Sequence, residues 1–464
     1  MAASLRIYGK GQFKMIVMKF GGTSVQDSDA IGNVVNIVKT RLKRKPVIVS
    51  SATARTTDTL LQCCRYASEG NYEKASDTIR QIKERHLKIA KELISDEILL
   101  EKLNSQIKEL IDNLRDIVKG IYLLSELSDR SIAKVVSHGE LLSTLILFFA
   151  LNDKGVKAEL VDARDFMFTN MDFTNAEPLF DIITEKATQR LKPILSSGKV
   201  VVTQGFIAST TDGVTTTFSR GGSDYSASII GMAMNAEEVE IWTDVDGILT
   251  ADPRIVDNTR IIKEISFREA AELAYFGAKV LHPSTILPAV EKNIPVRVLN
   301  SRNPEGKGTL ITNNVEESQY LIKSITSKKE IKVINIYSPK MLLAHGFLKK
   351  VFEVFDKYKT SVDLITTSEV NVSLTLDNDD NIAEIINELS GFSEVNLEED
   401  KSLVCVVGNN LKYIPGVAKK VFQVLGDFNI AMISQGASLV NISFVVDREN
   451  LNLVLQTLHK EFFG

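Results

Sequence analysis

The feature that most constrains this chain is a pair of glycines, Gly21 and Gly22, set between an apolar run and an amphipathic stretch. The run at 15–18 predicts a short buried strand, and apolar residues at helical spacing predict a helix over 27–43. Glycines at such a turn let backbone N–H groups approach an anion and aim a helix N-terminus at it. Lys19 adds a positive charge beside the turn. The stretch predicts a phosphate site, and the alternative for this motif alone is a tight turn with a surface lysine.

A second glycine pair, Gly221 and Gly222, lies much further along the chain and also opens a predicted helix. Arg220 precedes it, and a guanidinium can fork onto a carboxylate or a phosphate. Asp224 falls in the first turn of that helix, where capping is the alternative explanation for a carboxylate. Two such loops, each with a cation beside it, predict one polyanion held from two sides.

Strand-like and helical segments alternate through this part of the chain, which is typical of an α/β domain with its site at the carboxyl ends of the strands. The segment 60–151 is predicted to be helical throughout, with breaks near Gly70, Ser95 and Gly120. Further strands are predicted at 46–51, 156–161, 199–203 and 239–243, with a hairpin at 210–217.

The last helix of that segment carries two residues with chemical potential, His138 and Glu140. No second histidine lies at ligand spacing from His138, so a histidine of the core, or one that supports the site, is favoured over a metal ligand. Glu140 precedes the apolar pair Leu141 and Leu142, where a carboxylate either binds an ammonium group or is simply solvated. The sequence therefore predicts no protein metal site.

Composition narrows the class of protein. A net charge of −4 gives no reason to expect nucleic acid or a membrane surface as partner, and no apolar run reaches the roughly 18 residues of a membrane helix. Three cysteines, two of them adjacent, argue against a disulfide framework and favour a reducing, cytoplasmic location. Residues 1–14 lack the long apolar segment of a signal peptide and are predicted to be a disordered extension.

The C-terminal part contains an internal repeat. Residues 346–377 align without a gap on 416–447, with eleven identities in 32 positions. Each copy is predicted as strand, helix, strand, strand, helix, and the first ends with a further strand near 395, which together form a ferredoxin-like βαββαβ pattern. The second copy is one strand short, while a strand at 321–326 has no other place. We therefore expect this strand to complete the second module, so that the first module is inserted in the second.

Taken together, the chain resembles the aspartokinases of the amino-acid kinase superfamily over nearly its whole length after residue 14. The resemblance rests on motifs at 19–25, 137–140, 203–207, 219–225, 242–245 and 276–283. It implies a three-layer α/β/α kinase domain, and it implies that the repeated modules are ACT domains, which sense amino acids. The expected division is kinase domain 15–305, linker and completing strand 306–329, first ACT domain 330–400 and second ACT domain 401–464.

The resemblance implies transfer of the γ-phosphoryl group of ATP, with Mg²⁺, to the side-chain carboxylate of L-aspartate. The product would be 4-phospho-L-aspartate, at the start of lysine, threonine, methionine and diaminopimelate biosynthesis. A carboxylate is already ionised at pH 7, so catalysis reduces to positioning and charge neutralisation. Two alternatives are a non-catalytic amino-acid sensor and another amino-acid kinase acting on a different carboxylate. The intact Lys19, Glu140, Arg220 and Asp224 argue against the sensor, and the tandem ACT modules argue against the other kinases.

By similarity, Lys19 contacts the transferring phosphoryl group and Asp224 organises the catalytic loop, while Arg220 binds the α-carboxylate of aspartate and Glu140 its α-ammonium group. The other substrate-binding residues implied are Ser51, Thr57, Phe206, Gly221 and Ser223. The nucleotide-binding residues implied are Lys19, Gly21, Gly22, Thr243, Asp244, Arg254 and Lys279.

Two departures from the family pattern affect these expectations. The loop after the second strand usually carries a glycine where this chain has Ala54 and Arg55, which puts the conformation of the loop in question. A tyrosine common in the nucleotide region is Leu249 here, which removes one expected contact to ATP.

The first repeat copy carries two acids, Asp363 and Glu369, whose counterparts in the second copy are Ile433 and Leu439. Because the repeat does not require them, we expect them to hold the ammonium groups of a diamine amino acid near the helix that begins at Gly346. The stretch resembles the effector loop of lysine-inhibited aspartokinases, which implies L-lysine as inhibitor, with threonine as runner-up. The effector-binding residues implied are Gly346, Phe347, Leu348, Ser361, Asp363, Thr367, Ser368 and Glu369. The modules are expected to join a homodimer or a dimer of dimers, and a purely structural dimerisation role is the alternative.

Overall fold

The computed structural model describes residues 14–219, 221–277, 281–315, 321–342, 345–377 and 380–464. The strands are β1 (Ile16–Phe20), β2 (Pro46–Ser50), β3 (Ala158–Leu160), β4 (Phe168–Thr169), β5 (Val200–Gln204), β6 (Ile207–Thr210), β7 (Thr215–Thr217), β8 (Glu238–Thr243), β9 (Glu264–Ile265), β10 (Val296–Asn300), β11 (Thr309–Ile311), β12 (Ile322–Tyr337), β13 (Ile365–Thr367), β14 (Asn371–Leu376), β15 (Glu394–Gly408), β16 (Met432–Gln435) and β17 (Asn441–Asp447). The helices are α1 (Ser28–Arg41), α2 (Thr56–Ser68), α3 (Tyr72–Leu93), α4 (Glu97–Leu124), α5 (Asp129–Asp153), α6 (Phe180–Ser196), α7 (Gly222–Met234), α8 (Phe267–Tyr275), α9 (Leu287–Glu291), α10 (Phe347–Lys357), α11 (Ile382–Ser390), α12 (Val417–Val424) and α13 (Leu451–Phe463).

These elements fall into two compact units. One lies within Met1–Gly247 and Leu281–Asn313, and the other within Ile248–Val280 and Asn314–Gly464. The stretch that follows β8 thus packs with the repeated modules: the Thr250 hydroxyl lies 2.9 Å from Nε2 of His459, and Ile325 N donates to Thr250 O at 2.8 Å. The domain boundaries expected from the sequence stay a prediction.

The first unit is built on a sheet whose strands run in the order β3-β5-β2-β1-β8-β10-β11. The pairs from β3 to β10 are parallel, and β11 pairs antiparallel with β10. Every residue of β1, β2 and β5 is buried, as expected for parallel strands covered by helices on both faces. In this arrangement β1 lies between β2 and β8, so the loops that follow these three strands emerge at one edge of the sheet. The predicted α/β class and the predicted hairpin, which is β6 with β7, are confirmed.

One predicted helix break is wrong. The helical segment is interrupted after α2, after α3 and between α4 and α5, but Gly120 lies inside α4. A glycine costs a helix about 1 kcal/mol relative to alanine, which the buried apolar stripe of this 28-residue helix outweighs. The helix ends instead at Ser125, which adopts a left-handed conformation with φ 49°.

Among the described residues, one helix, α5, is long and apolar enough to cross a membrane by length and composition. Within its most apolar window, 78% of the helix is buried inside the protein. Burial of this extent is typical of a core helix.

The second unit contains one six-stranded sheet, in the order β13-β14-β12-β15-β17-β16. The first part of β12 pairs with the end of β15, and its last part pairs with β14 and the start of β15. The predicted strand 321–326 therefore does complete the second module, and the insertion of the first module in the second is confirmed. The sequence did not reveal that this strand continues unbroken to Tyr337, with an irregular register between Lys328 and Val333.

The two copies of the repeat pack alike. Val351 of α10 and its counterpart Val421 of α12 are both fully buried, each in the core of its own module. The outer strands of the sheet approach one another, since the Thr366 hydroxyl of β13 lies 3.5 Å from the Ile433 carbonyl oxygen of β16. The sheet is thus curved towards a barrel.

Candidate active site

A pocket of about 520 Å³ lies in the first unit, where the loops after β1 and β2 meet the start of α7. Nine residues expected to act in catalysis or binding line it: Lys19, Gly22, Ser51, Thr57, Glu140, Phe206, Gly221, Ser223 and Asp224. These residues come from distant parts of the chain, so their convergence is a property of the fold. The pocket is large enough for a small amino acid together with a phosphoryl group.

An ion pair in the pocket joins Lys19 to Asp224. The Lys19 Nζ lies 2.6 Å from Oδ1 of Asp224, and the two side chains are only 10% and 15% exposed. Asp224 is in the first turn of α7 but makes no capping hydrogen bond there. The carboxylate faces the ammonium group at the end of β1, a contact that its place in the first turn of the helix does not by itself explain.

The two glycine pairs lead into different structures. Gly22 opens a short 3₁₀ turn, and α1 begins only at Ser28, with the Asp27 side chain accepting a hydrogen bond from Ala30 N. The expectation that the first pair aims a helix N-terminus at an anion is wrong, because Asp27 already caps that helix. α7 does begin at Gly222, with Gly221 at φ 77° and no side-chain cap. Its uncapped N-terminus adjoins the pocket and is suited to an anion.

Glu140 of α5 is a buried carboxylate with one oxygen unused. Its Oε1 accepts a hydrogen bond from Ala52 N at 3.1 Å, while Oε2 has no donor among the described residues. The side chain is 3% exposed, and burial raises the pKa of Glu140 from its ordinary value of 4.5 to about 8. An entering ammonium group would supply the missing donor and favour the ionised form.

This pKa predicts a pH dependence of stability. A carboxyl whose folded pKa lies above its unfolded value takes up a proton on folding, so its contribution is full below about pH 4.5 and is lost as pH rises towards about 8. We expect the ligand-free protein to lose stability relative to Glu140→Gln across that window, by about 1.4 kcal/mol per pH unit at most. Thermal unfolding of both proteins between pH 5 and 8 measures the difference, and parallel profiles would contradict it.

The histidine and the adjacent cysteines noted in the sequence are structural. His138 is buried, its Nε2 lies 3.1 Å from Asn113 Oδ1, and burial lowers its pKa to about 4, so it is a neutral core histidine as predicted. Burial raises the pKa of Cys63 and Cys64 to about 12, which leaves both thiols unreactive. No group of three potential metal ligands occurs among the described residues.

The expected nucleotide-binding residues are only partly located. Arg220 and Lys279 lie outside the described residues. Thr243 ends β8, and its carbonyl oxygen accepts a hydrogen bond from Ser301 N at 2.8 Å, while Asp244 follows it as an exposed residue. Arg254 belongs to the second unit, where two of its nitrogens donate to the Asp252 carboxylate.

The loop after β2 adopts an unusual backbone. Arg55, close to where the family carries a glycine, has φ 67°, a left-handed conformation that costs a non-glycine residue about 1–2 kcal/mol. The loop thus keeps a glycine-like turn without the glycine. Two residues of α3 that the sequence motifs do not include, Arg85 and His86, contact this loop; helical spacing alone gives no sign of such contacts.

In the second unit, the expected effector residues include two acids, one nearly buried and one exposed. Asp363 is nearly buried: its Oδ1 lies 2.8 Å from both Lys328 Nζ and the Tyr275 hydroxyl, and its Oδ2 has no donor among the described residues. Glu369 is exposed in the turn between β13 and β14, next to Ser368, which hydrogen-bonds Asn371.

The other expected effector residues lie in three short segments of the same module. Gly346, with φ 84°, directly precedes α10 and provides no side-chain cap, and Phe347 and Leu348 belong to the first turn of that helix. Ser361 lies between α10 and β13, and Thr367 ends β13. The start of α10, which has no side-chain cap, is therefore one element of the expected effector site.

Two family models and a curated relative match this chain. Residues 14–300 match the amino acid kinase family, and residues 404–462 match an ACT domain. The chain is 40% identical to lysine-sensitive aspartokinase 3 of Escherichia coli K12, over 97% of this chain and 99% of that protein.

Two solved structures have the same fold. The E. coli aspartokinase III complex with aspartate and ADP, in its R-state, is similar with a TM-score of 0.82 and 39% identity, and the complex with lysine and aspartate, in its T-state, with 0.83 and 40%. Each comparison covers 97% of this chain and all of the other. Since this likeness covers 97% of the chain at 39–40% identity, the chain belongs to the aspartokinase family.

Proposed function

We propose that this protein transfers the γ-phosphoryl group of ATP to the β-carboxylate of L-aspartate, the first step of lysine, threonine and methionine biosynthesis. The observation that carries the proposal is the pocket in which the Lys19–Asp224 ion pair and the half-satisfied Glu140 carboxylate lie together. One supplies a cation for phosphoryl oxygens, and the other supplies an acceptor for the α-ammonium group of an amino acid.

The acceptor carboxylate attacks the γ-phosphorus in its ionised form, so no residue has to remove a proton from it. Lys19 neutralises charge on the phosphoryl group, and the partly buried setting strengthens that interaction relative to water. The start of α7, which has no side-chain cap, adds backbone N–H donors to the same pocket. Arg220, placed by the family motif, would bind the α-carboxylate.

Mg²⁺ would enter with the phosphates of ATP and neutralise their charge. The described residues contain no group of three metal ligands. The pocket does contain the Asp224 carboxylate, beside Lys19, and this oxygen ligand fits an Mg²⁺ ion that arrives with the nucleotide. The ion therefore belongs with the nucleotide substrate.

The experiment that tests the activity is an ADP-release assay with MgATP and a panel of acceptors, combined with hydroxylamine trapping of the acyl phosphate. We expect turnover with L-aspartate and at least about 100-fold less with L-glutamate, because the ammonium group and the acceptor carboxylate are fixed at separate places. Binding of aspartate without ADP release would favour the amino-acid sensor. Release with another carboxylate alone would favour a different amino-acid kinase.

We further propose that L-lysine inhibits the enzyme from the first repeated module. Asp363 offers a buried oxygen without a donor among the described residues, and Glu369 adds a second, exposed acid. A diamine amino acid carries two ammonium groups for these acids, whereas threonine would leave one acid unpaired. The E. coli T-state complex, which contains lysine, supports the same assignment.

Two substitutions test the effector assignment. We expect Glu369→Ala and Asp363→Ala to raise the half-inhibiting lysine concentration by about 10-fold or more, a loss of about 1.4 kcal/mol in binding, while uninhibited kcat stays within about twofold. Glu369→Ala is the cleaner variant, because Asp363 also pairs with Lys328. Glu353→Ala, which removes an exposed acid of α10, is the matched control. Inhibition by threonine but not by lysine would reverse the assignment.

Assembly into a homodimer or a dimer of dimers through the modules, and a cytoplasmic location, complete the proposal. The location is supported by the three cysteines, all free and buried among the described residues. Light scattering with and without lysine measures the assembly, and a monomer under both conditions would contradict it.

A further inference from the structure

One side chain joins two neighbouring loops that border the pocket. Arg85 of α3 donates from one terminal nitrogen to the Ala54 carbonyl oxygen at 2.7 Å, and from the other to the Gln26 carbonyl oxygen at 3.0 Å. Ala54 belongs to the loop after β2 and lines the pocket. Gln26 ends the 3₁₀ turn that starts at the first glycine pair.

The two loops are also in direct contact. Ala54 N donates to Gly22 O at 3.1 Å, and a Cβ atom on Gly22 would come within 3.0 Å of the Ala52 carbonyl oxygen. The spacing between the loops is therefore tight. Arg85 spans them with the planar fork of its guanidinium, whose two terminal nitrogens each reach a separate acceptor.

The residue next to Arg85 reinforces the same loop. His86 is fully buried, its Nδ1 lies 2.7 Å from the Ile82 carbonyl oxygen, and its Nε2 lies 3.4 Å from the Thr53 hydroxyl. Burial lowers the pKa of His86 to about 4, so the ring is neutral. Two consecutive residues of α3 thus hold two consecutive residues of the loop, Thr53 and Ala54.

Each loop serves a different reactant. The loop after β1 belongs with Lys19 and the phosphoryl group, whereas the loop after β2 carries Ala52, whose N–H orients Glu140. The separation of the loops therefore fixes the distance between the acceptor carboxylate and the phosphorus. A shift of about 1 Å in such a distance can cost about 100-fold in rate.

We propose that Arg85 is a positioning residue for phosphoryl transfer. It holds the loop after β1 and the loop after β2 at a fixed distance from each other. This inference rests on the proposed function of the pocket. Arg85 contacts backbone carbonyl oxygens, so it acts through the loops. Its loss lowers kcat, while the KM values for aspartate and ATP change little, because each loop still binds its own reactant.

The test compares Arg85→Ala and Arg85→Lys with Arg80→Ala, which removes an exposed arginine of the same helix that pairs with Asp77. We expect both Arg85 variants to lose about 10- to 100-fold in kcat with KM values within about threefold. The Arg85→Lys variant is also expected to be impaired, because a single ammonium group cannot donate to both carbonyl oxygens at once. Methylguanidinium should restore part of the activity of Arg85→Ala, whereas sodium chloride at equal ionic strength should not.

Hydrogen exchange separates this inference from the proposed activity. Amide exchange in 22–27 and 51–56 should accelerate in Arg85→Ala and stay unchanged in Arg80→Ala, whatever substrate the protein uses. Unchanged exchange, or a kcat within about twofold of the wild type, would overturn the role of Arg85. A rise in KM at constant kcat would also overturn it, because the residue would then serve binding. The proposed function itself is decided separately, by whether the wild-type protein releases ADP from MgATP when aspartate is the acceptor.

Discussion

Replacing Lys19 with alanine is expected to lower kcat by about 100- to 1000-fold, the largest effect we expect of any single substitution, with little loss of fold. The ammonium group lies in a partly buried pocket, where it neutralises charge that develops on the transferring phosphoryl group, and a donor of this kind contributes about 3–4 kcal/mol to the transition state. The fold should survive because the Asp224 carboxylate left behind borders the pocket and can be hydrated.

Steady-state kinetics at saturating MgATP and aspartate, with circular dichroism to confirm folding, measures this effect. Lys14→Ala is the matched control, since Lys14 is an exposed lysine that pairs with Glu237 just before β1. A Lys19→Ala protein that kept more than about a tenth of wild-type kcat would have lost less than about 1.4 kcal/mol, too little for the assigned role.

Glu140→Gln is expected to raise the KM for aspartate by about 10- to 100-fold and to change the KM for ATP by less than about threefold. The carboxylate forms a charge-assisted contact with the α-ammonium group, worth about 1.5–3 kcal/mol, and the neutral amide cannot replace it. Equal increases in the KM values for aspartate and ATP would contradict a role of Glu140 in binding the amino acid.

Calorimetry offers a second readout for Glu140. Because burial raises the pKa of the free carboxyl to about 8 and an ammonium partner favours the ionised form, aspartate binding at pH 7 should release close to one proton. Titrations in two buffers of different ionisation enthalpy measure that proton, and the release should disappear in Glu140→Gln. A wild-type titration without buffer dependence would contradict the ammonium-binding role.

The motifs that mark the candidate site are local, so the sequence alone could single them out. Glycine pairs next to Lys19 and Asp224 can be recognised without knowing the fold, but the ion pair between these residues depends on β1 meeting α7, so capping remained an alternative from the sequence alone. Arg85 gave no signal for the same reason. Its role depends on how α3 packs against two loops, and a charged residue on a helix usually indicates a solvated face.

The errors also have physical causes. The break expected at Gly120 failed because the buried stripe of α4 outweighs the cost of one glycine. The helix predicted over 27–43 does form, but Asp27 caps its N-terminus, so the first glycine pair does not aim this N-terminus at an anion. The long strand β12 was anticipated only as separate pieces, although no glycine or proline interrupts it from Ile322 to Tyr337.

The continuity of β12 and β15 has a consequence for how the regulatory half folds. Each of these strands gives one part of its length to one module and the rest to the other, so the two modules are joined through two shared strands. Local opening of one module must strip hydrogen bonds from its neighbour, and the pair should exchange and unfold as a single cooperative block. A destabilising substitution in the second module would therefore also weaken the first, without touching any residue that contacts the effector.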